Sequence, residues 1–188
     1  IELMGKVGAN VSFNPAIAAR RGAAAPVSDL EIAGCNIGIG TDNMDENMIH
    51  AMRTGLFAER VRLGLQMDPQ PEQLLNWATV GSAQALGLSN EIGSLEVGKR
   101  ADFFVADMKK PHLVPNLRSV SNFIHNGQSA DVVAVMVDGN WLMRDGKLIT
   151  IDEEELMDLA EDAGQHLWNS LINDHPNTPM PFALRPSY

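Results

Sequence analysis

Two short apolar runs, residues 11–13 and 36–40, are separated by a segment that carries helix signals. Runs of this length, bounded by Gly, Asn and Pro, are typical of buried strands. Pro26 lies near the start of the intervening helical pattern and Gly34 follows its end, which is the usual placement of these residues at helix termini. A strand, a helix and a strand in this order predict a βαβ unit, and therefore a parallel sheet in an α/β fold.

Two longer helical patterns follow the second strand. The first has an apolar residue at every fourth position: Met44, Met48, Met52 and Leu56. Such a stripe indicates a helix with one buried face, which we expect Asp45 to cap and Gly64 to end. The second pattern covers residues 71–86, and Gly87 is its predicted end.

The hydrophobic period changes after about residue 100. Residues 101–106 and 132–137 are predicted strands, and residues 107–130 between them, rich in Pro and Asn, are predicted to be a long connecting loop. Asp-Gly pairs at 138–139 and 145–146 interrupt the apolar residues that follow. Asp-Gly between apolar runs is a strong hairpin signal because both turn positions require positive φ. We therefore expect an antiparallel meander over residues 132–149.

The remaining residues predict an acidic amphipathic helix from Asp152 to about Leu171, followed by an extended tail from Asp174. Its apolar face consists of Leu156, Leu159, Ala163, Leu167 and Leu171. Seven acidic residues lie between positions 152 and 162. The negative charge of the chain is therefore concentrated in one segment.

The charge balance and the single cysteine exclude several functions. The chain of 188 residues has 14 basic and 24 acidic side chains and a net charge of −10, whereas nucleic-acid binding needs a basic surface. Cys35, predicted to be a core residue inside a strand, can form neither an intrachain disulfide nor a cysteine-based zinc site. No apolar run reaches the roughly 18 residues of a membrane span, and the start does not resemble a signal peptide. We expect a cytoplasmic protein with neither nucleic acid nor a membrane as its partner.

The sharpest chemical signal is the sequence Gly-Ile-Gly-Thr-Asp-Asn at residues 38–43. It places Asp42 after a strand, and α/β proteins bind ligands at the carboxyl ends of their strands. Asp42 is therefore either a catalytic or metal-binding carboxylate, or an ordinary turn or helix-cap aspartate. Asn14, in a predicted extended turn, and the Arg20-Arg21 pair in the same loop either approach a ligand or belong to a plain loop. The five histidines have no metal-binding spacing, which favours structural or surface roles.

Four segments together resemble the amidohydrolase superfamily, and within it the branch of cytosine deaminases, chlorohydrolases and aminohydrolases. Residues 40–43 resemble the end of the last barrel strand of this branch, and residues 78–87 resemble its late helix. Residues 92–102 are similar to the signature at which the chain leaves the barrel for a small β-domain. Residues 135–146 resemble the closing hairpin of that domain.

The resemblance implies the domain organisation. Residues 1–91 would form the C-terminal strands and helices of a (β/α)8 barrel, residues 92–150 a small β-sandwich-type domain, and residues 151–188 the acidic helix and tail. A whole barrel takes about 250 residues. We therefore expect a C-terminal portion, an expectation that the start at Ile1 instead of Met supports. The first-strand His-x-His pair, the middle-strand histidine and the catalytic glutamate of the branch have no counterpart here.

The resemblance also implies a chemistry: a metal-dependent hydrolase that acts on non-peptide carbon–nitrogen or carbon–chlorine bonds of cyclic amidine-like substrates. It would use one divalent metal, zinc or iron, with Asp42 as a metal ligand and as the proton shuttle for the attacking water. Asn14 and Asn43 would contact the substrate, and Phe13 stands where the branch often has a histidine. The isolated chain is expected to be inactive and to hold metal weakly. It would form a homo-oligomer or associate with the missing N-terminal part.

Two alternatives stay open. In one, the chain is a non-catalytic binding or assembly fragment that uses its β-domain and its acidic helix. In the other, it belongs to the hydantoinase and dihydroorotase type, in which a modified lysine bridges two metals. Residues 40–42, followed directly by the methionine-striped helix, favour the single-metal branch over the second alternative.

Overall fold

A computed structural model describes residues 1–43 and 46–175, and the chain divides into two compact units, Ile1–Lys147 and Leu148–Tyr188. The first unit begins with α1 (Glu2–Lys6), followed by β1 (Asn10–Phe13). β1 pairs in parallel with β2 (Asn36–Ile39). The predicted parallel sheet is therefore confirmed, and the division at residues 91 and 92 stays a prediction.

The connection between β1 and β2 contains two helices, α2 (Pro15–Arg20) and α3 (Val27–Ile32). α3 corresponds to the predicted helix. α2 corrects the prediction that Asn14 opens an extended turn and that the following residues form a loop. Pro15 occupies its first turn, where a missing N–H is harmless, and three of its six residues are alanines, which favour helix.

Helix α4 (Met48–Leu63) follows β2. Its N-cap is Asn47, whose Oδ1 accepts hydrogen bonds from the backbone N–H of Ile49 and of His50, at 3.0 and 3.2 Å. This corrects the predicted cap at Asp45, which lies outside the described residues, as does Met44 of the predicted stripe. Gly64, with φ +66°, ends the helix as expected.

The second predicted helix is confirmed, but it is not uniform. It consists of α5 (Pro71–Asn76), a π-helical turn (Trp77–Gly81) and α6 (Ser82–Ala85). Gly87 follows with φ +73°. The π turn places Gly81 and Ser82 against β2, where Ile39 N donates to Ser82 Oγ at 3.2 Å and Asn36 Nδ2 donates to Gly81 O at 2.9 Å.

The core lies between the parallel sheet, helices α3, α4 and α5, and a later helix that contains Ile124. It is formed by Phe13, Val27, Leu30, Cys35, Ile37, Ile39, Ala51, Met52, Leu56, Leu74, Trp77 and Ile124. Phe13 and Trp77 meet edge to face, with ring centroids 6.4 Å apart. Cys35 is buried as predicted, although it precedes β2 instead of lying inside it. Burial of each large apolar side chain contributes about 1.5–3 kcal/mol.

A four-stranded sheet follows, with the order β3 (Phe103–Ala106), β4 (Val132–Val137), β5 (Asn140–Arg144) and β6 (Lys147–Leu148). β3 and β5 both pair antiparallel with β4. Asp138, with φ +49°, and Gly139, with φ +75°, form the turn between β4 and β5. This confirms the predicted hairpin.

Residues 107–130 are not the predicted long loop, because they contain helix α7 (Ser119–Asn126) and a 3₁₀ turn (Ser129–Asp131). The apolar spacing of Val120, Phe123 and Ile124 explains the helix, since Phe123 and Ile124 are buried. Arg53 of α4 stabilises the C-terminal end of α7 by donating to the carbonyl oxygens of Ile124 and Gly127, at 2.9 and 2.5 Å.

The second unit contains helix α8 (Glu153–Asp174), which confirms the predicted acidic helix. Asp152 caps it by accepting from the backbone N–H of Glu154 and of Glu155, at 3.1 and 3.2 Å. All the residues of its predicted apolar face are exposed. The predicted extended tail lies mostly in residues 176–188, outside the described residues. Among the described helices, none is both long and apolar enough to cross a membrane.

Candidate functional site

The carboxyl ends of β1 and β2 bring Asn14 and Asp42 to the same edge of the parallel sheet. β1 ends at Phe13, and Asn14 is the next residue; β2 ends three residues before Asp42. Both side chains line one groove of about 320 Å³. The structure therefore joins two of the three predicted site residues where α/β folds bind their ligands.

Asp42 is exposed and has the left-handed backbone conformation, with φ +56°. Asp and Asn adopt this conformation more readily than other residues with a Cβ. Its Oδ1 accepts a hydrogen bond from the backbone N–H of Asn43 at 2.6 Å. Within the described residues, no donor contacts its second oxygen. The carboxylate is thus oriented by one bond and keeps an oxygen that can take a proton or a cation.

Asn14 is half-buried and lies over Gly40. A Cβ at position 40 would be 2.3 Å from Asn14 Oδ1, so a larger residue there would displace this side chain from its position. Asn14 Nδ2 donates to Ser12 Oγ at 3.4 Å. Ser12 is a polar residue of the groove that the sequence analysis did not single out. Its only sequence signal was the alternation of polar and apolar residues along β1.

Asn43 and Arg21 are placed differently with respect to this groove. Asn43 holds Asp42 through its backbone N–H, but it does not line the groove. Its proposed substrate contact therefore stays a prediction. Arg21, for which an anion-binding role and a plain loop were both open, lies in the groove wall just after α2 and adds a positive charge there.

The described residues do not fit a metal site on their own. Within residues 1–43 and 46–175, no three His, Cys, Asp or Glu side chains lie close enough to hold a metal ion. Zinc needs three or four protein ligands, and Asp42 would supply one of them.

A second carboxylate, Glu59 of α4, belongs to a cluster that we call the buried carboxylate cluster: Glu59, Arg62, Asp29 and the backbone of Ser28. Glu59 is only 2% exposed. It accepts from Ser28 N at 2.9 Å and from Arg62 Nε and Nη2 at 2.8 and 2.7 Å, and Arg62 Nη1 contacts Asp29 at 2.9 Å. Burial alone would raise the pKa of Glu59, but the bonds from Arg62 and Ser28 outweigh burial and hold that pKa below its usual value. The cluster ties α4 to the first turn of α3.

His112 and His125 each contact a side chain of the protein, at two separate places. His112 Nε2 lies 2.8 Å from Asp131 Oδ2, and the backbone N–H of Gln128 donates to the same oxygen at 2.8 Å. Burial opposes the ionisation of Asp131, yet these bonds hold its pKa below the usual value. His125 lies 3.4 Å from Arg60 Nη1. These contacts agree with the structural roles predicted for both histidines.

Comparison with known proteins identifies the family. The sequence model of the amidohydrolase family matches residues 11–142. A 5-methylthioadenosine/S-adenosylhomocysteine deaminase from Desulforudis audaxviator is 36% identical over 176 residues, which are 91% of this chain and 41% of the relative. A 5′-deoxyadenosine deaminase from Methanosarcina acetivorans is 34% identical over 172 residues, which are 89% of this chain and 39% of the relative.

Among solved structures, an adenosine deaminase from Xanthomonas campestris with bound zinc superposes with a TM-score of 0.83 at 27% identity. The superposition covers 87% of this chain and 38% of that protein. The chain therefore spans about two fifths of the length of these relatives. The resemblance that the sequence suggested, and the assignment to part of a (β/α)8 barrel fold, are confirmed.

Proposed function

Because the chain belongs to the amidohydrolase family, we propose that it is a portion of a metal-dependent hydrolase that acts on carbon–nitrogen bonds. The observation that carries this proposal is the position of Asp42. It is an exposed carboxylate at the carboxyl end of a parallel strand, beside Asn14, with one oxygen uncommitted among the described residues.

We assign the substrate to the adenosine class. The relatives from Desulforudis and Methanosarcina are both named as deaminases of adenosine derivatives. The reaction would be hydrolytic deamination, in which water adds to the ring carbon that bears the amino group and ammonia leaves. Neither name points to carbon–chlorine bonds or to hydantoin-type substrates, so we favour deamination over those alternatives.

Within this reaction Asp42 would accept a proton from the attacking water and occupy one ligand position of a zinc or iron ion. The N–H of Asn43 would keep the carboxylate in place, and Asn14 would present its amide to the substrate across Gly40. A divalent metal, when bound, supplies a water that is acidic enough to react at neutral pH. Because the described residues offer no complete ligand set, metal binding by this chain alone is expected to be weak.

The test of this proposal provides the part of the enzyme that this chain does not cover. The chain is co-expressed with the part of the Desulforudis deaminase that lies outside the matched 41%, and ammonia release from 5′-methylthioadenosine is measured with zinc present. We expect turnover by the pair and none by the isolated chain. Asp42→Asn should lower kcat/KM by about 100-fold or more, the range of general acid–base catalysis.

Asp145→Asn is the matched control, because Asp145 is also an exposed aspartate with positive φ, +51°. It should leave turnover unchanged. Stoichiometric tight metal and turnover in the isolated chain would contradict the proposal, as would equal activity of the two variants. Association without turnover would support the non-catalytic assembly alternative.

A further inference from the structure

One face of helix α2 forms a wall of the groove that contains Asp42. Four residues of this face, spaced as i, i+3, i+4 and i+7, line the groove: Asn14, Ile17, Ala18 and Arg21. Positions with this spacing lie on the same side of a helix. The face therefore has an amide at its first position, apolar side chains in its middle and a guanidinium at its last position.

The two polar ends of this face are held at a fixed separation. Asn14 is the N-cap of α2 and Arg21 is its C-cap. Seven residue steps of about 1.5 Å place their backbones about 10 Å apart along the helix. This distance exceeds the width of a purine ring. A nucleoside-sized ligand that meets Asn14 with one end can therefore reach Arg21 only with the other.

Backbone hydrogen bonds at the C-terminal end of α2 fix the position of Arg21. Gly22 N donates to Ala19 O at 3.1 Å, and Ala23 N donates to Ala18 O at 2.9 Å. Gly22 has φ +67°, and the two bonds form the Schellman motif, in which a left-handed glycine ends a helix. The backbone of Arg21 is therefore fixed beside the groove, and only its side chain is left for a ligand to orient.

Arg21 differs from the other described arginines because it has no partner. Within residues 1–43 and 46–175, its side chain forms no ion pair, hydrogen bond or ring contact. Its neighbour Arg20 has a partner and does not line the groove. The remaining described arginines contact carboxylates, backbone carbonyl oxygens or an aromatic ring: Arg53, Arg60, Arg62, Arg100, Arg118 and Arg144. An unpartnered guanidinium in a groove is therefore a particular feature of this site.

Asp42 and Arg21 carry opposite charges and line the same groove, yet no ion pair joins these two described residues. An ion pair between them would neutralise both charges and occupy the open oxygen of Asp42. Their separation leaves a groove with a negative end, an apolar wall and a positive end. Arginine binds carboxylate and phosphate groups through two parallel N–H donors. The groove therefore matches a ligand whose reacting end lies at Asp42 and whose other end is an anion.

We propose that Arg21 is a specificity-determining residue that binds a carboxylate or phosphate group at the end of the substrate opposite its reacting ring. This inference rests on the proposed function, because it takes the adenine ring to lie at Asp42. Arg21 makes no contact with the reacting atoms, so it contributes to substrate affinity. The chain should favour adenosine derivatives with an anionic 5′ substituent over neutral ones.

The first test measures ligand binding to the 188-residue chain by NMR titration and needs no turnover. The probes are S-adenosylhomocysteine, whose 5′ substituent ends in a carboxylate, adenosine 5′-monophosphate, which carries a phosphate, and 5′-methylthioadenosine, which is neutral. At least one of the two anionic probes should bind about tenfold more tightly than the neutral probe, the effect of a hydrogen bond to a charged group. The anion that binds more tightly tells carboxylate from phosphate recognition.

Arg21→Ala should abolish this preference for an anionic probe. Arg20→Ala, the matched control, removes the same charge from the adjacent residue outside the groove and should keep the preference. Arg21→Lys keeps the charge and loses the paired donors, so it should give an intermediate preference. Equal binding of charged and neutral probes, no binding of any probe, or loss of the preference in Arg20→Ala would overturn the proposal. Circular dichroism checks that the variants fold.

The second test measures deamination by the chain co-expressed with the part of the Desulforudis deaminase outside the matched 41%. Arg21→Ala should raise KM for the anionic substrate about tenfold or more with little change in kcat, because it removes binding that is equal in the ground and transition states. An equal rise of KM for the neutral substrate, or a fall in kcat alone, would overturn the proposal. Arg21-dependent binding of an anionic probe without turnover of any substrate would support the anion site and contradict only the proposed deamination.

Discussion

Asp42 and Glu59 are two carboxylates of the same unit in opposite environments. Asp42 is exposed, and one backbone N–H holds it. Glu59 is 2% exposed and accepts three hydrogen bonds, two of them from Arg62. A buried charge is tolerated only when its partners are complete, whereas a reactive carboxylate must keep an oxygen available. The difference separates an acid that stabilises the fold from one that can act on a ligand.

The largest expected effect is that of Glu59→Ala on stability. Removing this carboxylate takes the acceptor from the N–H of Ser28 and leaves Arg62 with its ion pair to Asp29, and breaking a buried pair costs about 3–5 kcal/mol. Asp42→Asn, which keeps a side chain that tolerates positive φ, should change the free energy of unfolding by less than about 0.5 kcal/mol. Urea denaturation of both variants measures the contrast. Similar losses of stability in the two variants would contradict the contrast between the buried Glu59 and the exposed Asp42.

A second prediction concerns the stability of the protein at acid pH. The folded-state pKa of Glu59 is below its unfolded value, so its ionised form stabilises the protein above the unfolded pKa. That stability is lost as the pH falls through the folded pKa, below about 4.5. Glu59→Gln should therefore reduce the acid sensitivity of the unfolding free energy. An identical pH profile for Glu59→Gln and the original chain would contradict the role of the buried carboxylate cluster.

The smallest expected effect is that of Asp42→Gly. Glycine adopts a positive φ without steric cost, which outweighs its larger entropy in the unfolded chain, so the variant should be stabilised by about 0.5 kcal/mol. Asp145→Gly, at φ +51°, should behave alike. Thermal unfolding measures both. A clear loss of stability in Asp42→Gly would mean that the carboxylate of Asp42 stabilises the fold, in addition to any role toward a ligand.

Elements with a strong local signal were predictable. β1, β2 and the hairpin at Asp138 have apolar runs bounded by turn residues, and α4 and α8 have long periodic stripes. The short helices α2 and α7 were missed because six or eight residues rarely hold a helix without tertiary packing. Burial of Phe123 and Ile124 and the bonds from Arg53 stabilise α7, and these partners are far away in sequence.

The candidate site was predictable in part. The position of Asp42 after an apolar strand was visible, because strand ends and glycines leave a local pattern. That Asn14 lies over Gly40 and shares a groove with Asp42 was not, because it depends on the pairing of β1 with β2. Arg21 was ambiguous for the same reason, since the position of a loop side chain follows from the elements around it.

The sequence by itself therefore determined the order and type of the main elements, the acidic terminal helix and the strand end that presents Asp42. Only the tertiary structure decided which carboxylate is buried and that Gly81 and Ser82 lie against β2. The contacts responsible join Glu59 to Ser28, 31 residues apart, and Ser82 to Ile39, 43 residues apart. Periodicity reports the neighbours within a few turns of the chain, whereas these contacts depend on how whole helices pack against the sheet.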